Sequence, residues 1–152
     1  MKKVLIASIV CTALAACSKD KFDTVPTVRI DSITPTEVRN GSFIQVLATV
    51  TDKEGDLQDS VIVVRKTYNG DTVVETDSSA KVSLRGLGSP AKDKIELRVV
   101  ISYGQLQPEF AIYQHLESDF DRDYTVGLVV IDNAGHRSEY VESKRIVLKK
   151  YP

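Results

Sequence analysis

The stretch Asp52-Lys53-Glu54-Gly55-Asp56-Leu57-Gln58-Asp59 places four carboxylates in eight residues around a glycine. Hard oxygen donors on a turn are what a calcium ion takes. The spacing is not that of an EF-hand, which alternates its oxygen donors and places glycine sixth and glutamate twelfth. Asp52, Glu54 and Asp56 would be the calcium ligands. The same side chains can instead cap the loop's own amide N–H groups, as Asp does in ordinary turns. Both readings stay open. A second acidic run, Ser118-Asp119-Phe120-Asp121-Arg122-Asp123, reads as a solvated loop. Carboxylates from the two runs could act as acid and base on a glycosidic bond only if they faced each other at roughly 5–9.5 Å.

Other chemistry is thinly represented. His115 and His136 are the only histidines, and neither stands at metal-ligand spacing from another His or from a Cys. They read as turn or surface residues. The sequence has no G-x-S-x-G elbow, no phosphate loop and no dinucleotide fingerprint. Nothing forms a catalytic constellation, so a non-enzymatic chain with no cofactor other than calcium is expected. Tyr103, Phe110, Tyr113 and Phe120 lie at or beyond strand ends. They could form a platform for sugar rings or a partner, or complete the core beneath a long loop.

The two cysteines, Cys11 and Cys17, carry a different message. Lys2 and Lys3 form a basic head, and Val4 to Ala16 is apolar or small. That run falls short of the roughly 20 apolar residues a membrane-spanning helix needs, and it has the length and flanks of a secretory signal. It ends in Leu14-Ala15-Ala16-Cys17, which resembles the lipobox of bacterial lipoprotein precursors, L-[AS]-[GA]-C, at every position. The resemblance implies that the Cys17 sulfur takes a diacylglyceryl group, that residues 1–16 are removed as signal peptide, and that the new amine is acylated, with palmitate as a usual chain. Several acyl chains anchor far more firmly than one, at about 0.8 kcal/mol per buried CH₂.

The mature chain would then have no thiol, which excludes disulfides and cysteine-ligated metals. Its charge would move from 20 Lys+Arg against 21 Asp+Glu to 18 against 21, a net of −3 once Lys2 and Lys3 are gone. An acidic body lacks the basic footprint of a nucleic-acid binder. Ser18 after the cysteine is compatible with the outer membrane of a cell envelope. Lys19 to Asp23 mixes both signs, so the periplasmic face and the cell surface both remain open.

Residues 17–25 read as the lipidated cysteine and a polar tether, and residues 26–152 as one domain. Helical periodicity is nearly absent. Ile44, Val46, Ala48 and Val50 alternate with Gln45 and Thr49, and Ile95, Leu97, Val99 and Ile101 alternate with Glu96 and Arg98. That period-2 pattern marks half-buried strands. Further strands are expected over Thr27–Ile33, Val61–Tyr68, Thr72–Thr76, Lys81–Leu84, Tyr124–Asp132 and Tyr140–Lys149. Pro35 breaks the first. Asn69-Gly70 predicts a type I′ hairpin, and Phe110–His115 stays unassigned between strand and helical turn.

About seven to nine short antiparallel strands make the chain all-β, a single β-sandwich. "ATVTDKEGDLQDSVIVV" (Ala48–Val64) and "DRDYTVGLVVIDNAGHRSE" (Asp121–Glu139) resemble the strand B–C and strand F–G passages of bacterial immunoglobulin-like and fibronectin-III-like modules. The resemblance implies that Tyr124 is a tyrosine corner, its ring in the core and its hydroxyl bonded back to backbone near Asp121. It points to a lipid-anchored envelope module that binds a protein or glycan without catalysis. The alternatives are a carbohydrate-active accessory protein or hydrolase using the loop carboxylates, and a purely structural lipoprotein.

Overall fold

The computed structural model describes residues 25–55, 57, 60–79, 81–83, 93–107, 109, 112–115 and 118–150. Residues 1–24, with the expected signal peptide, Cys17 and most of the expected tether, lie outside the described residues, as does Asp56. The described residues form eleven strands in order: β1 (Thr27–Thr34), β2 (Glu37–Val38), β3 (Phe43–Thr51), β4 (Ser60–Asn69), β5 (Thr72–Ser78), β6 (Val82–Ser83), β7 (Lys94–Tyr103), β8 (Tyr113–Gln114), β9 (Arg122–Ile131), β10 (Val141–Glu142) and β11 (Ile146–Leu148). Among the described residues there is no helix.

The strands build two sheets, ordered β1-β3-β7-β8 and β2-β11-β9-β4-β5, with β10 beside β9 and β6 beside β4. Each apolar alternation read from the sequence faces the interior. On β3, Ile44, Val46, Ala48 and Val50 are buried, and on β7 so are Leu97, Val99 and Ile101. Opposite them Tyr124, Val126, Leu128 and Val130 of β9 and Val61 and Val63 of β4 fill the space between the sheets. On β1 a bulge between Ile30 and Ser32 resets the alternation, so Ile33 turns inward beside Val28. The chain then passes through the cis peptide Thr34–Pro35 into the other sheet, where β2 pairs with β11.

In strand letters the first sheet reads A-B-E and the second G-F-C-C′, the partition of an immunoglobulin-like sandwich. The domain is therefore all-β and immunoglobulin-like. It differs from the expected seven to nine antiparallel strands in three respects. Two pairings are parallel: β2, arriving from the first sheet, with β11, and β8 with β7, which precedes it in the chain and in the same sheet. The expected last strand is split into β10 and β11, since the chain between them leaves the ladder on β9. Finally, Asn69 pairs with Thr72, so the two-residue hairpin loop is Gly70-Asp71. Gly70 has φ +60, and among the described residues no non-glycine residue has positive φ. One positive φ at the first central position belongs to a II′-type turn rather than I′.

The register also sorts the loops. Thr27, Thr51 and Lys94 lie level, as do Ser60 and Ile131, so Val25, the acidic loop after β3 and the Asp132–His136 turn share one end. The turn at Arg39–Ser42, the Gly70-Asp71 hairpin, the segment after β7 and residues after β11 share the other.

Candidate functional site

At the first end Asp52 is 3% exposed, drawn inward where β3 finishes. Its amide donates to Asp93 O at 2.8 Å, and its Oδ1 accepts the Glu54 amide at 3.2 Å, which is the capping role of an Asx turn. Oδ2 is buried and has no hydrogen-bond partner among the described residues. Glu54 is exposed, and Asp56 lies outside the described residues. Among the described residues no three Asp, Glu, His or Cys side chains gather where they could hold a metal ion.

The Asp132–His136 turn is built the same way. Buried Asp132 accepts the His136 amide on Oδ1 at 2.8 Å and pairs through Oδ2 with His136 Nδ1 at 2.8 Å. Ser138, close in sequence, does not complete a catalytic triad. Its Oγ accepts the Val130 amide at 3.0 Å and donates to Glu139 O at 2.9 Å. The pair thus holds the turn after β9, and the signal for it was the i, i+4 spacing of Asp132 and His136 within "DNAGH".

The second acidic run stands at the opposite end, before β9. Ten strand residues separate the ends, which at about 3.3 Å per residue is on the order of 30 Å. The described carboxylates of the two runs, Asp52 and Glu54 at one end and Asp119, Asp121 and Asp123 at the other, therefore do not assemble the two-carboxylate hydrolase geometry. Asp121 instead accepts Lys149 Nζ at 2.5 Å and the Lys150 amide at 3.0 Å, and the Lys149 bond holds its carboxyl below the ordinary range.

Tyr124 is fully buried, as a corner tyrosine should be, but its hydroxyl donates to Gln114 Oε1 at 3.2 Å rather than to backbone near Asp121. Burial raises its pKa well above that of a free phenol. Arg65 explains the change of partner. It occupies a core-facing position of β4, 7% exposed, and its guanidinium bonds Tyr113 O, Gln114 Oε1 and Asp77. Strand β8 is thereby drawn in beside β7, with Gln114 within reach of the phenol. The four aromatics set apart in the sequence diverge. Tyr103 is buried and donates to Lys149 O at 2.7 Å. Tyr113 is half-buried against the His115 ring, and Phe110 lies outside the described residues. Phe120 is 69% exposed.

The outer face of the second sheet carries a network that the sequence did not announce. Glu142 on β10 receives Lys66 Nζ at 2.6 Å and the hydroxyls of Tyr68 at 2.6 Å, Thr125 at 2.6 Å and Tyr140 at 2.7 Å. Burial pushes its carboxyl up, yet hydrogen bonds from Lys66, Thr125, Tyr68 and Tyr140 together outweigh that and bring it down to about 2. Lys66 is raised in turn by Glu142 and lies 4.8 Å from the Tyr140 ring centre, while Arg145 covers the Tyr68 ring at 4.2 Å. Every atom of the Glu142 carboxylate is occupied, so the cluster pins β10 to β9 and β4.

No family model matches this chain. No curated protein matches it either. Solved structures of similar shape are distant. Spo0M, the sporulation control protein of Bacillus subtilis, is 10% identical with a TM-score of 0.45, over 84% of this chain and 51% of that one. Murine CRIg is 13% identical with a TM-score of 0.33, over 84% and 98%. BcpA, the major pilin subunit of Bacillus cereus, is 10% identical with a TM-score of 0.34, over 82% and 40%. The chain thus spans about half of Spo0M and less of the pilin.

Proposed function

We propose that this chain is a lipid-anchored binding module of a bacterial cell envelope, acting by contact rather than by catalysis. The observation that carries the reading is the complete lipobox Leu14-Ala15-Ala16-Cys17 ahead of a single sandwich. Hydroxyls and carboxylates near the His136–Asp132 pair are engaged in holding turns, which supports a binding role. Residues 18–25 form the tether, which spans at most about 29 Å when fully extended. Val25 enters at the end that bears Asp52 and Asp132, so that end would face the lipid and the other would face away, toward a protein or glycan. The outer membrane is the proposed location, through Ser18. The test is Cys17→Ser in a bacterial host fed radioactive palmitate. Wild type should be labelled and partition into detergent, and the variant should do neither; label retained by the variant overturns the anchor.

A further inference from the structure

Asn-Gly occurs twice in the chain, at Asn40-Gly41 and at Asn69-Gly70. In this dipeptide the glycine nitrogen can attack the asparagine side chain, because no Cβ on the second residue crowds the approach. The step needs a glycine N–H that is not held elsewhere. It needs an amide oxygen whose developing negative charge can be solvated, and a turn able to leave its folded shape. The two copies differ in all three.

Asn40 and Gly41 are the central residues of a turn closed by Ser42 N–H to Arg39 O at 3.0 Å. Gly41 N–H donates to Tyr103 O at 2.9 Å, and Tyr103 N–H donates to Ser42 O at 2.9 Å, so the turn is tied to the end of β7. The Gln105 side chain lies against Gly41. Asn40 Oδ1 is shut off from solvent and has no hydrogen-bond partner among the described residues. Negative charge gathering on that atom would be neither hydrated nor bonded, which is costly. Reaching the reactive shape also means breaking the bonds to Tyr103.

Asn69 and Gly70 are both exposed. Asn69 pairs with Thr72 at the last step of the β4–β5 ladder, and every residue of β5 is exposed. Among the described residues Gly70 N–H has no acceptor, while its carbonyl accepts Arg145 Nη1 at 3.0 Å. A Cβ built at Gly70 would meet nothing within 4 Å, so the space around the turn is open. Asn69 is extended, so the terminal pair must fray before Gly70 N reaches Asn69 Cγ. Fraying at the exposed end of a hairpin costs little.

We infer that Asn69 is a site of spontaneous deamidation, and that the fold protects Asn40 from the same reaction. Gly70 N gives up its proton and bonds Asn69 Cγ. The Cγ–Nδ2 bond breaks, and Nδ2 leaves as ammonia with a proton in place of the one lost, which closes a succinimide ring. Water then opens the ring. Cleavage between Gly70 N and Cγ leaves aspartate; cleavage between Gly70 N and the Asn69 carbonyl carbon leaves isoaspartate, with the main chain running through Cβ and Cγ. Either product adds a negative charge to a turn where Arg145 already lies 3.4 Å from both Asp71 and Asp123. Isoaspartate also lengthens the main chain at the end of β4, against the pairing with Thr72. The reaction needs neither the lipid anchor nor a partner.

The test incubates the full chain in detergent micelles in warm, mildly alkaline buffer, with and without urea. Peptides from timed samples are read by mass spectrometry, with fragmentation that separates aspartate from isoaspartate. In the folded chain, conversion at Asn69 should exceed that at Asn40 by at least about tenfold, as expected where one site must wait for a tied turn to open. In urea the two rates should converge to within about twofold, since unfolding removes both environments. Gly70→Ala should slow conversion at Asn69 in urea, where the hairpin no longer matters, by several-fold or more. No conversion at Asn69, equal or faster conversion at Asn40 in the folded chain, a ratio that survives urea, or indifference to Gly70→Ala overturns the inference.

Discussion

Gly127 has a reason that only its neighbour explains. A Cβ built there would lie 2.2 Å from the Tyr140 ring, which is held by Glu142 and covered by Lys66. Gly127→Ala should therefore displace the ring and cost about 1–3 kcal/mol in urea unfolding, the usual range for overpacking. In a Tyr140→Ala background the same change should become neutral or stabilising, because alanine suits a strand better than glycine. Glu142 supplies a second residue-scale expectation. Its folded carboxyl titrates near 2, below the ordinary 4.5, so its stabilising contribution is complete above about 4.5 and is lost as pH falls through 2. Wild type should lose stability across that window, and Glu142→Gln should start lower at pH 7 and show a flatter slope between pH 4.5 and 2. Denaturation at a series of pH values reads both. A slope unchanged in the variant would remove Glu142 as its source.

At the scale of elements, the segment from Arg137 to Arg145 shows how a strand can be tied without a continuous ladder. Ser138 and Ser143 each accept a β9 amide on Oγ, from Val130 and Val126 at 3.0 Å, while their own amides donate to the carbonyls of those residues at 2.9 Å. The serines are five apart and their partners four, so the extra residue bows the segment away from β9. Removing one hydroxyl leaves a β9 amide unpaired. Ser138→Ala should cost about 1–3 kcal/mol and accelerate hydrogen exchange at the Val130 amide, with Val63 and Val99 unaffected. The hairpin makes a complementary case. Gly70→Ala forces a side chain into φ +60 and should destabilise by about 1 kcal/mol, whereas Asn69→Ala, on the strand side of the turn, should cost less. Equal losses would restore the I′ turn centred on Asn69-Gly70.

For the molecule as a whole, the sandwich separates two kinds of loop by the length of its strands. One end carries self-capping aspartates, Asp52 over Glu54 and Asp132 over His136, and the described chain enters there at Val25. The other gathers the hairpin, the segment between β7 and β9, and the cations after β11, and it alone exposes Leu106 and Phe120. The same separation dismantles the paired-carboxylate reading, since acid and base for one bond cannot act across the height of a sandwich. The whole-molecule expectation is polarity. A fluorophore attached at residue 106 should stay accessible to a soluble quencher on membrane-bound protein, and one at residue 54 should be shielded. Equal quenching would mean that the domain lies on its side.

The all-β class and the inward faces of β3 and β7 were legible in the amino-acid sequence. Each follows from a local pattern, a period-2 alternation whose burial follows from strand geometry alone. The tertiary structure decided what depends on register between distant segments. Lys66 meets Glu142 across 76 positions, Arg65 reaches Gln114 across 49, and the corner hydroxyl of Tyr124 turns to a side chain that β8 delivers. On β4 the alternating sets Val61, Val63, Arg65, Thr67 and Ile62, Val64, Lys66, Tyr68 both begin apolar and end polar. Hydropathy could not say which faced inward. Tertiary neighbours settled it, because on one side of β4 the facing β8 brings Tyr113 and Gln114, and the adjoining β5 brings Asp77, to bond the two terminal nitrogens of the buried guanidinium.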